Sequence, residues 1–168
     1  GKIVIVGGYG KVGRVISKKL SKLFENRVVI AGRSYRKAKE FAEKLENFVT
    51  PMELDIDSFT ENDNRFIDAK LVVVCVDQKD TQFVEWCFER GIDYIDITAG
   101  FEFLSKVEAL TDKAKNTGTT AVLSVGLAPG ITNLLAKVCK LSVPDIQFLD
   151  IFIMLGMGEV HGDEAIRW

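Results

Sequence analysis

Residues Lys2–Ile16 read KIVIVGGYGKVGRVI. A short β-branched run, Lys2–Val6, meets glycines spaced Gly8-x-Gly10-x-x-Gly13. Apolar residues then recur at helical spacing (Val12, Val15, Ile16, Leu20, Leu23, Phe24), with Arg14, Lys18 and Lys22 on the opposite face. Three glycines in a turn mean little by themselves; between a strand and a helix they acquire a purpose. Gly8 lets the chain turn sharply, Gly10 lets backbone approach a pyrophosphate, and Gly13 lets the helix sit close to the sheet. The N–H groups and positive dipole end at the helix start favour phosphates. Tyr9, Lys11 and Val12 complete the turn and are expected against the same ligand. A tight turn with no ligand is the alternative, but glycines weaken the start of a helix, and one placed inside it costs about 1 kcal/mol relative to alanine.

Working outward, a second strand pattern, Val28–Ala31, ends in IAGRS (Ile30–Ser34). A dinucleotide site that takes NAD normally carries an acid here, about twenty residues past the glycines, to bind the ribose 2′-hydroxyl. Gly32 and Arg33 stand there instead. A small residue makes room for a 2′-phosphate, and a planar, permanently charged guanidinium is its natural partner. Ser34 adds a hydroxyl and a helix start, and Arg36 lies one turn on. These residues predict NADP in preference to NAD, unless Arg33 is only a solvated surface residue. The missing acid also weighs against S-adenosylmethionine and FAD, which usually want that carboxylate. Tyr35-x-x-x-Lys39 has the spacing of a short-chain dehydrogenase's catalytic pair. It follows strand two, and the helix needs Ala38 inward rather than Lys39, so it is read as coincidence.

The alternation continues. Ser34 caps a helix with stripe Ala38, Phe41, Ala42 and Leu45. Phe48–Leu54 is a third strand whose Pro51 requires an edge position or a bulge. Leu71–Val76 is apolar without alternation, as suits a parallel strand covered on both faces. Asp80 caps a helix carrying Phe83, Val84, Cys87 and Phe88 and ending at Gly91. Tyr94–Thr98, a helix from Phe103 to Lys115 stopped by Gly118, and Thr120–Val125 follow. Such a run predicts an α/β fold, a Rossmann-type doubly wound parallel sheet. Past it come Pro129 near a helix start, a stripe of Ile131, Leu134, Leu135 and Val138, and an apolar strand Ile146–Leu155. The expected organisation is a dinucleotide-binding domain over residues 1–128. Residues 129–168 are then the linking helix and first strand of a truncated second α+β domain.

Ligands in such sheets lie outside the carboxyl ends of the strands. Val76 and Asp77 after the fourth strand, and Thr98, Ala99 and Gly100 after the fifth, are therefore expected along the cofactor. Asp55 accepts from an adenine amino group or caps a turn before Ser58; the sequence leaves both open.

Composition narrows the classes. The chain has 168 residues and a formal charge of -2, which argues against nucleic acid. Its apolar runs are too short to span a bilayer. The three cysteines, Cys75, Cys87 and Cys139, form no C-x-x-C pair, and His161 is the single histidine. The thiols read as buried small hydrophobes, no metal site is expected, and a cytoplasmic location fits.

Taken together, VIVGGYGKVGRVI, IAGRS, DYIDITAG (Asp93–Gly100) and above all VGLAPGITNLLA (Val125–Ala136) resemble the saccharopine dehydrogenase family in its NADP-binding part. The resemblance covers nearly the whole chain. It implies an NADP-dependent oxidoreductase acting on CH–NH donors. Hydride would pass between nicotinamide and an amine or imine carbon of an amino-acid-derived substrate. It also implies a homodimeric full-length protein and little turnover by residues 1–168 alone. Ala128 stands where saccharopine-forming members tend to carry an acid, which leans away from saccharopine towards lysine-dehydrogenase-like branches. The substrate wall is expected near Ala128, Pro129 and Gly130. Asn133 reaches a substrate carboxylate or serves as a cap, and His161 is a candidate for proton transfer, with a surface position as its alternative. The contrasting possibility is a dinucleotide-binding module that senses redox state without turnover.

Overall fold

The computed structural model describes residues 1–46, 48–60 and 64–154. Its first unit, residues 1–126, is built on a six-stranded parallel sheet of order β3-β2-β1-β4-β5-β6. The strands are β1 (Lys2–Val6), β2 (Val28–Gly32), β3 (Thr50–Glu53), β4 (Ala69–Val74), β5 (Asp93–Asp96) and β6 (Ala121–Val122). The first crossover leads outward from β1 to β2 and β3. The chain then returns past β1 to β4, so the order reverses between β1 and β4. A crevice at that switch point is where a doubly wound sheet receives its ligand. The α/β, Rossmann-type architecture expected from the alternating patterns is the one observed.

Five helices serve this unit: α1 (Lys11–Leu23), α2 (Tyr35–Ala42), α3 (Gln82–Glu89), α4 (Phe101–Glu108) and α5 (Thr111–Thr117). One core cluster gathers Ile3, Ile5, Val28, Ile30 and Ala38 on one sheet face, and another gathers Val4, Val6, Val72, Phe83 and Tyr94 on the other. A sheet covered on both sides demands strands apolar at every position, and β2 is buried from end to end. Pro51 pairs with Ile30 on β3, the edge strand, where its missing N–H costs no ladder bond.

Several expectations are corrected. The face of α1 on the sheet is Gly13, Ser17 and Ser21, flanked by Ile16 and Leu20; Val12, Val15 and Leu23 are exposed. Small residues let the helix approach closely, and Ser17 Oγ gains a buried bond to the Gly8 carbonyl at 3.0 Å. The single helix expected over 103–115 is two, broken at Ala109–Leu110. The Thr111 hydroxyl donates to the Glu108 carbonyl there, and Leu110 packs against the core. Strand β6 is only two residues long, and Ser124, two residues past its end, takes the left-handed φ of +61°. Cys139 is exposed, unlike buried Cys87.

The second unit begins at Leu127. An irregular turn, Leu127–Ile131, leads into α6 (Thr132–Ser142), and Gly130 takes φ +123°, a conformation that favours glycine. Residues 146–154 form no strand. Their run of Leu149, Ile151 and Ile153 instead lines, with Ile131, Leu135 and Cys139, an apolar cavity of about 410 Å³. The expected stripe of α6 is more than half exposed at Ile131, Leu134, Leu135 and Val138. No helix among the described residues is long and apolar enough to cross a membrane.

Candidate functional site

The glycine turn sits at the carboxyl end of β1, beside the switch point. Its sharp bend falls on Gly7, with φ +74°, and not on Gly8. A Cβ at Gly7 would lie 2.5 Å from Val76 Cγ1, so Val76, after β4, closes directly onto the turn. Gly8 is a packing glycine: a Cβ there would stand 2.9 Å from the Ile5 carbonyl and 3.1 Å from Ser17 Oγ. A Cβ at Gly13 would overlap the Gly7 carbonyl oxygen, so Gly13 does seat the helix on the strand. Gly10 differs from all of these. Its only neighbour within 4 Å would be the Gly7 carbonyl, at 3.1 Å. It caps α1 with extended backbone and no side-chain bond, and no acid stands in the first turn. Lys11 and Val12 follow on that turn, both exposed. An open cradle of this kind, at a helix end whose first N–H groups lack intrahelical acceptors, fits a diphosphate.

Tyr9 turns the other way, onto β2. Its ring covers Gly32 so closely that a Cβ at residue 32 would lie 2.7 Å from Cε1 and from the hydroxyl. The hydroxyl accepts the Ser34 N–H at 3.1 Å. Its carbonyl accepts from Arg14 Nε at 2.6 Å, and that guanidinium lies 5.2 Å from the Phe41 ring centroid. Arg14 is therefore a brace for the turn as well as a charge on the exposed face of α1. Ser34 caps α2, with Oγ accepting the Lys37 N–H at 3.4 Å. The two arginines part company. Arg36 is paired along its own helix with Glu40 at 2.8 Å, whereas Arg33 is exposed and unpaired among the described residues. Next to this end of the sheet, Asp55 Oδ1 accepts the Asp57 N–H at 3.1 Å, a turn-capping bond. Lys79, from the loop after β4, reaches Asp57 at 2.7 Å.

Asp77 is exposed on that same loop after β4. Thr98 and Ala99 follow β5, and Thr98 is held by a group that the sequence did not single out. Asp96, the last residue of β5, is fully buried. Its Oδ1 accepts the Thr98 N–H at 3.2 Å and the Ser124 N–H at 2.8 Å, and its Oδ2 accepts from the Tyr94 hydroxyl at 3.2 Å. That hydroxyl accepts in turn from Gln78 Nε2 at 2.6 Å. Ser124, in the left-handed region at φ +61°, returns its hydroxyl to the Thr98 carbonyl at 2.7 Å. One carboxylate thus ties together the loops after β5 and β6, with the loop after β4 attached through Gln78. Burial holds the Asp96 carboxyl above the ordinary carboxylate range; the Ser124 and Thr98 N–H groups and the Tyr94 hydroxyl pull it back. A signal was present in DYID, where two acids sit in a central strand beside a tyrosine, because a buried acid must have partners.

Burial pushes the Cys75 thiol up to about 12, so it stays protonated and inert. No cluster of three or more metal-ligating side chains occurs among the described residues. In the second unit, Asn133 Oδ1 accepts the Gly130 N–H at 3.4 Å and the Thr132 hydroxyl at 3.2 Å, the bonding of a turn cap. His161 lies outside the described residues.

Comparison with known proteins agrees with this geometry. Residues 3–122 match the family model described as the saccharopine dehydrogenase NADP binding domain. Carboxyaminopropylagmatine dehydrogenase of Synechocystis is 30% identical, over 89% of this chain and 40% of its own length. Among solved structures, the apo L-Glu-forming saccharopine dehydrogenase of Saccharomyces cerevisiae superposes with a TM-score of 0.65 at 18% identity, over 86% of this chain and 32% of that one. A dehydrogenase from Chromobacterium violaceum gives a TM-score of 0.56 at 12% identity, over 83% and 40%. At these identities the superpositions speak to fold alone. The chain spans less than half the length of each of these relatives.

Proposed function

Because this chain belongs to the saccharopine dehydrogenase family and carries its NADP-binding domain, we propose that the whole protein is an NADP-dependent oxidoreductase acting on a C–N bond. The substrate class is an amino-acid-derived amine, or the imine formed from it. When bound, the cofactor supplies a nicotinamide carbon that takes or gives hydride; the chain's part is to hold, orient and exclude water.

The diphosphate rests on the open cradle at Gly10–Val12, at the amino end of α1. Arg33 meets the 2′-phosphate, with Ser34 beside it, while Arg36 stays with Glu40. Val76 and Asp77 border the middle of the cofactor. Thr98, held by Asp96, and Ala99 after it border its nicotinamide end. Asp55 spends one oxygen on its own turn and keeps the other for the adenine side. A substrate wall at Ala128–Gly130 and a homodimeric assembly belong to the same proposal, as does a division near residue 128 between cofactor-binding and substrate domains.

The observation that carries this function is the conjunction of an open, acid-free helix start with an arginine at the end of β2 that is unpaired among the described residues. The carboxyaminopropylagmatine dehydrogenase relative supports the C–N chemistry, since its name describes a substrate built from an amine. The test is to supply the full-length protein with NADP and a panel of amino acids and polyamine derivatives, and with NADPH and mixtures of amines and carbonyl compounds. Consumption or formation of reduced nicotinamide is then followed. Turnover confined to amine or amine-plus-carbonyl substrates is expected. Turnover on simple alcohols alone would overturn it, and cofactor binding with no turnover on any substrate would favour a redox-sensing module.

A further inference from the structure

The end of β2 carries a feature that the phosphate-binding role of Arg33 does not require. Gly32 is small, and a 2′-phosphate needs space. In this structure, however, the space over Gly32 is already taken by the Tyr9 ring, against which any Cβ at residue 32 would stand 2.7 Å from Cε1 and from the hydroxyl. The ring has little freedom to withdraw. It packs against the core cluster of β1, β2 and α2, its hydroxyl holds the Ser34 N–H at 3.1 Å, and its carbonyl is held by Arg14 at 2.6 Å. The acid that would bind an unphosphorylated ribose is thus excluded by a neighbour across the sheet, not merely absent.

The hydroxyl has a second use. A phenol carries one donor hydrogen and two acceptor lone pairs. Having accepted from Ser34, Tyr9 keeps its own hydrogen to give, and no acceptor for it occurs among the described residues. It bonds the N–H of the residue that follows Arg33, an exposed arginine unpaired among the described residues. A phosphate oxygen is the acceptor that suits both groups.

We propose that Tyr9 commits this site to the 2′-phosphorylated cofactor. Its ring forbids a carboxylate at residue 32, and its hydroxyl donates to the 2′-phosphate alongside Arg33. This rests on the dinucleotide site proposed above. It makes residues 9 and 32 a coupled pair, so that cofactor preference cannot be changed at Gly32 alone.

The experiment titrates full-length wild type, Tyr9→Phe, Gly32→Asp and the double variant Tyr9→Ala with Gly32→Asp, using NADPH and NADH, with thermal unfolding as a check on folding. Tyr9→Phe keeps the ring and removes the hydroxyl, which is both the donor to the phosphate and the acceptor of the Ser34 N–H. It is expected to weaken NADPH roughly tenfold and to leave NADH within about twofold. Gly32→Asp alone is expected to lose both cofactors, while the double variant regains NADH and prefers it. Equal changes for both cofactors in Tyr9→Phe, or a switch to NADH by Gly32→Asp with Tyr9 in place, would overturn the role of Tyr9. If Gly32→Asp does not fold, the Tyr9→Phe titration decides. Wild type that binds neither cofactor would overturn the dinucleotide site itself.

Discussion

At the scale of single residues, Gly13 and Arg33 carry the most exposed claims. A Cβ at Gly13 has no room against the Gly7 carbonyl. Gly13→Ala must lift α1 from the sheet or bend it, and overpacking of this kind costs about 1–3 kcal/mol. Thermal unfolding is expected to show that loss, together with weaker NADPH binding. An unchanged melting temperature would mean that the helix is not seated as described. Arg33→Ala removes the charge-assisted contact proposed with the 2′-phosphate, a kind of bond worth about 1.5–3 kcal/mol. A loss of roughly ten- to a hundredfold in NADPH affinity, with NADH unaffected, is expected in a binding titration. The glycine spacing and the Gly32–Arg33 pair were legible in the sequence because each departs from what a helix start or an NAD site would otherwise contain. The assignment of roles was less so. Gly7, outside the spaced triad, takes the left-handed bend, and local spacing does not say which of two adjacent glycines turns. That Tyr9 lies over Gly32, 23 positions away, depends on the pairing of β1 with β2 and is invisible to any short window.

At the scale of elements, a doubly wound parallel sheet could be read from apolar runs and alternation, since a doubly covered sheet permits little else; the order of its strands comes from the structure. The contact face of α1 could not. Hydropathy selects Val12 and Val15, but close approach selects Gly13, Ser17 and Ser21, and shape wins there because Ser17 has a buried carbonyl to bond. Likewise the break between α4 and α5 is accompanied by a hydroxyl–carbonyl bond at Thr111 that apolar periodicity does not register. The buried Asp96 is the element-level consequence of most weight, because it fastens two loops through their N–H groups. Asp96→Ala leaves both donors without an acceptor and is expected to cost about 2–4 kcal/mol and to weaken cofactor binding. Asp96→Asn keeps the Oδ1 acceptor and is expected to lose much less. The pH dependence separates the two further. Burial raises the carboxyl in the folded state, so the folded chain holds a proton that the unfolded chain has released. Stability therefore falls as pH rises from the ordinary carboxylate value, about 4, towards the raised one. Denaturation at a series of pH values is expected to show that slope reduced in Asp96→Asn. A slope identical to wild type would mean that Asp96 is not the group responsible.

At the scale of the whole molecule, the chain divides into a Rossmann-type unit and a second unit that starts at Leu127. The change in pattern after β6 was legible in the sequence; the state of residues 146–154 was not. A strand needs a neighbour, and no strand in the described part of the second unit offers one. The apolar residues turn instead to the cavity beside α6. The proposed function rests on the first unit, where an open helix start and a braced turn stand beside the reversal of strand order, and Arg33, unpaired among the described residues, follows the neighbouring strand β2. The most direct test is a calorimetric titration of the protein with NADPH and, separately, with NADH. Saturable one-to-one binding of NADPH, at least about tenfold tighter than NADH, is the expected result. Equal or tighter binding of NADH, or no heat with either cofactor, would contradict it.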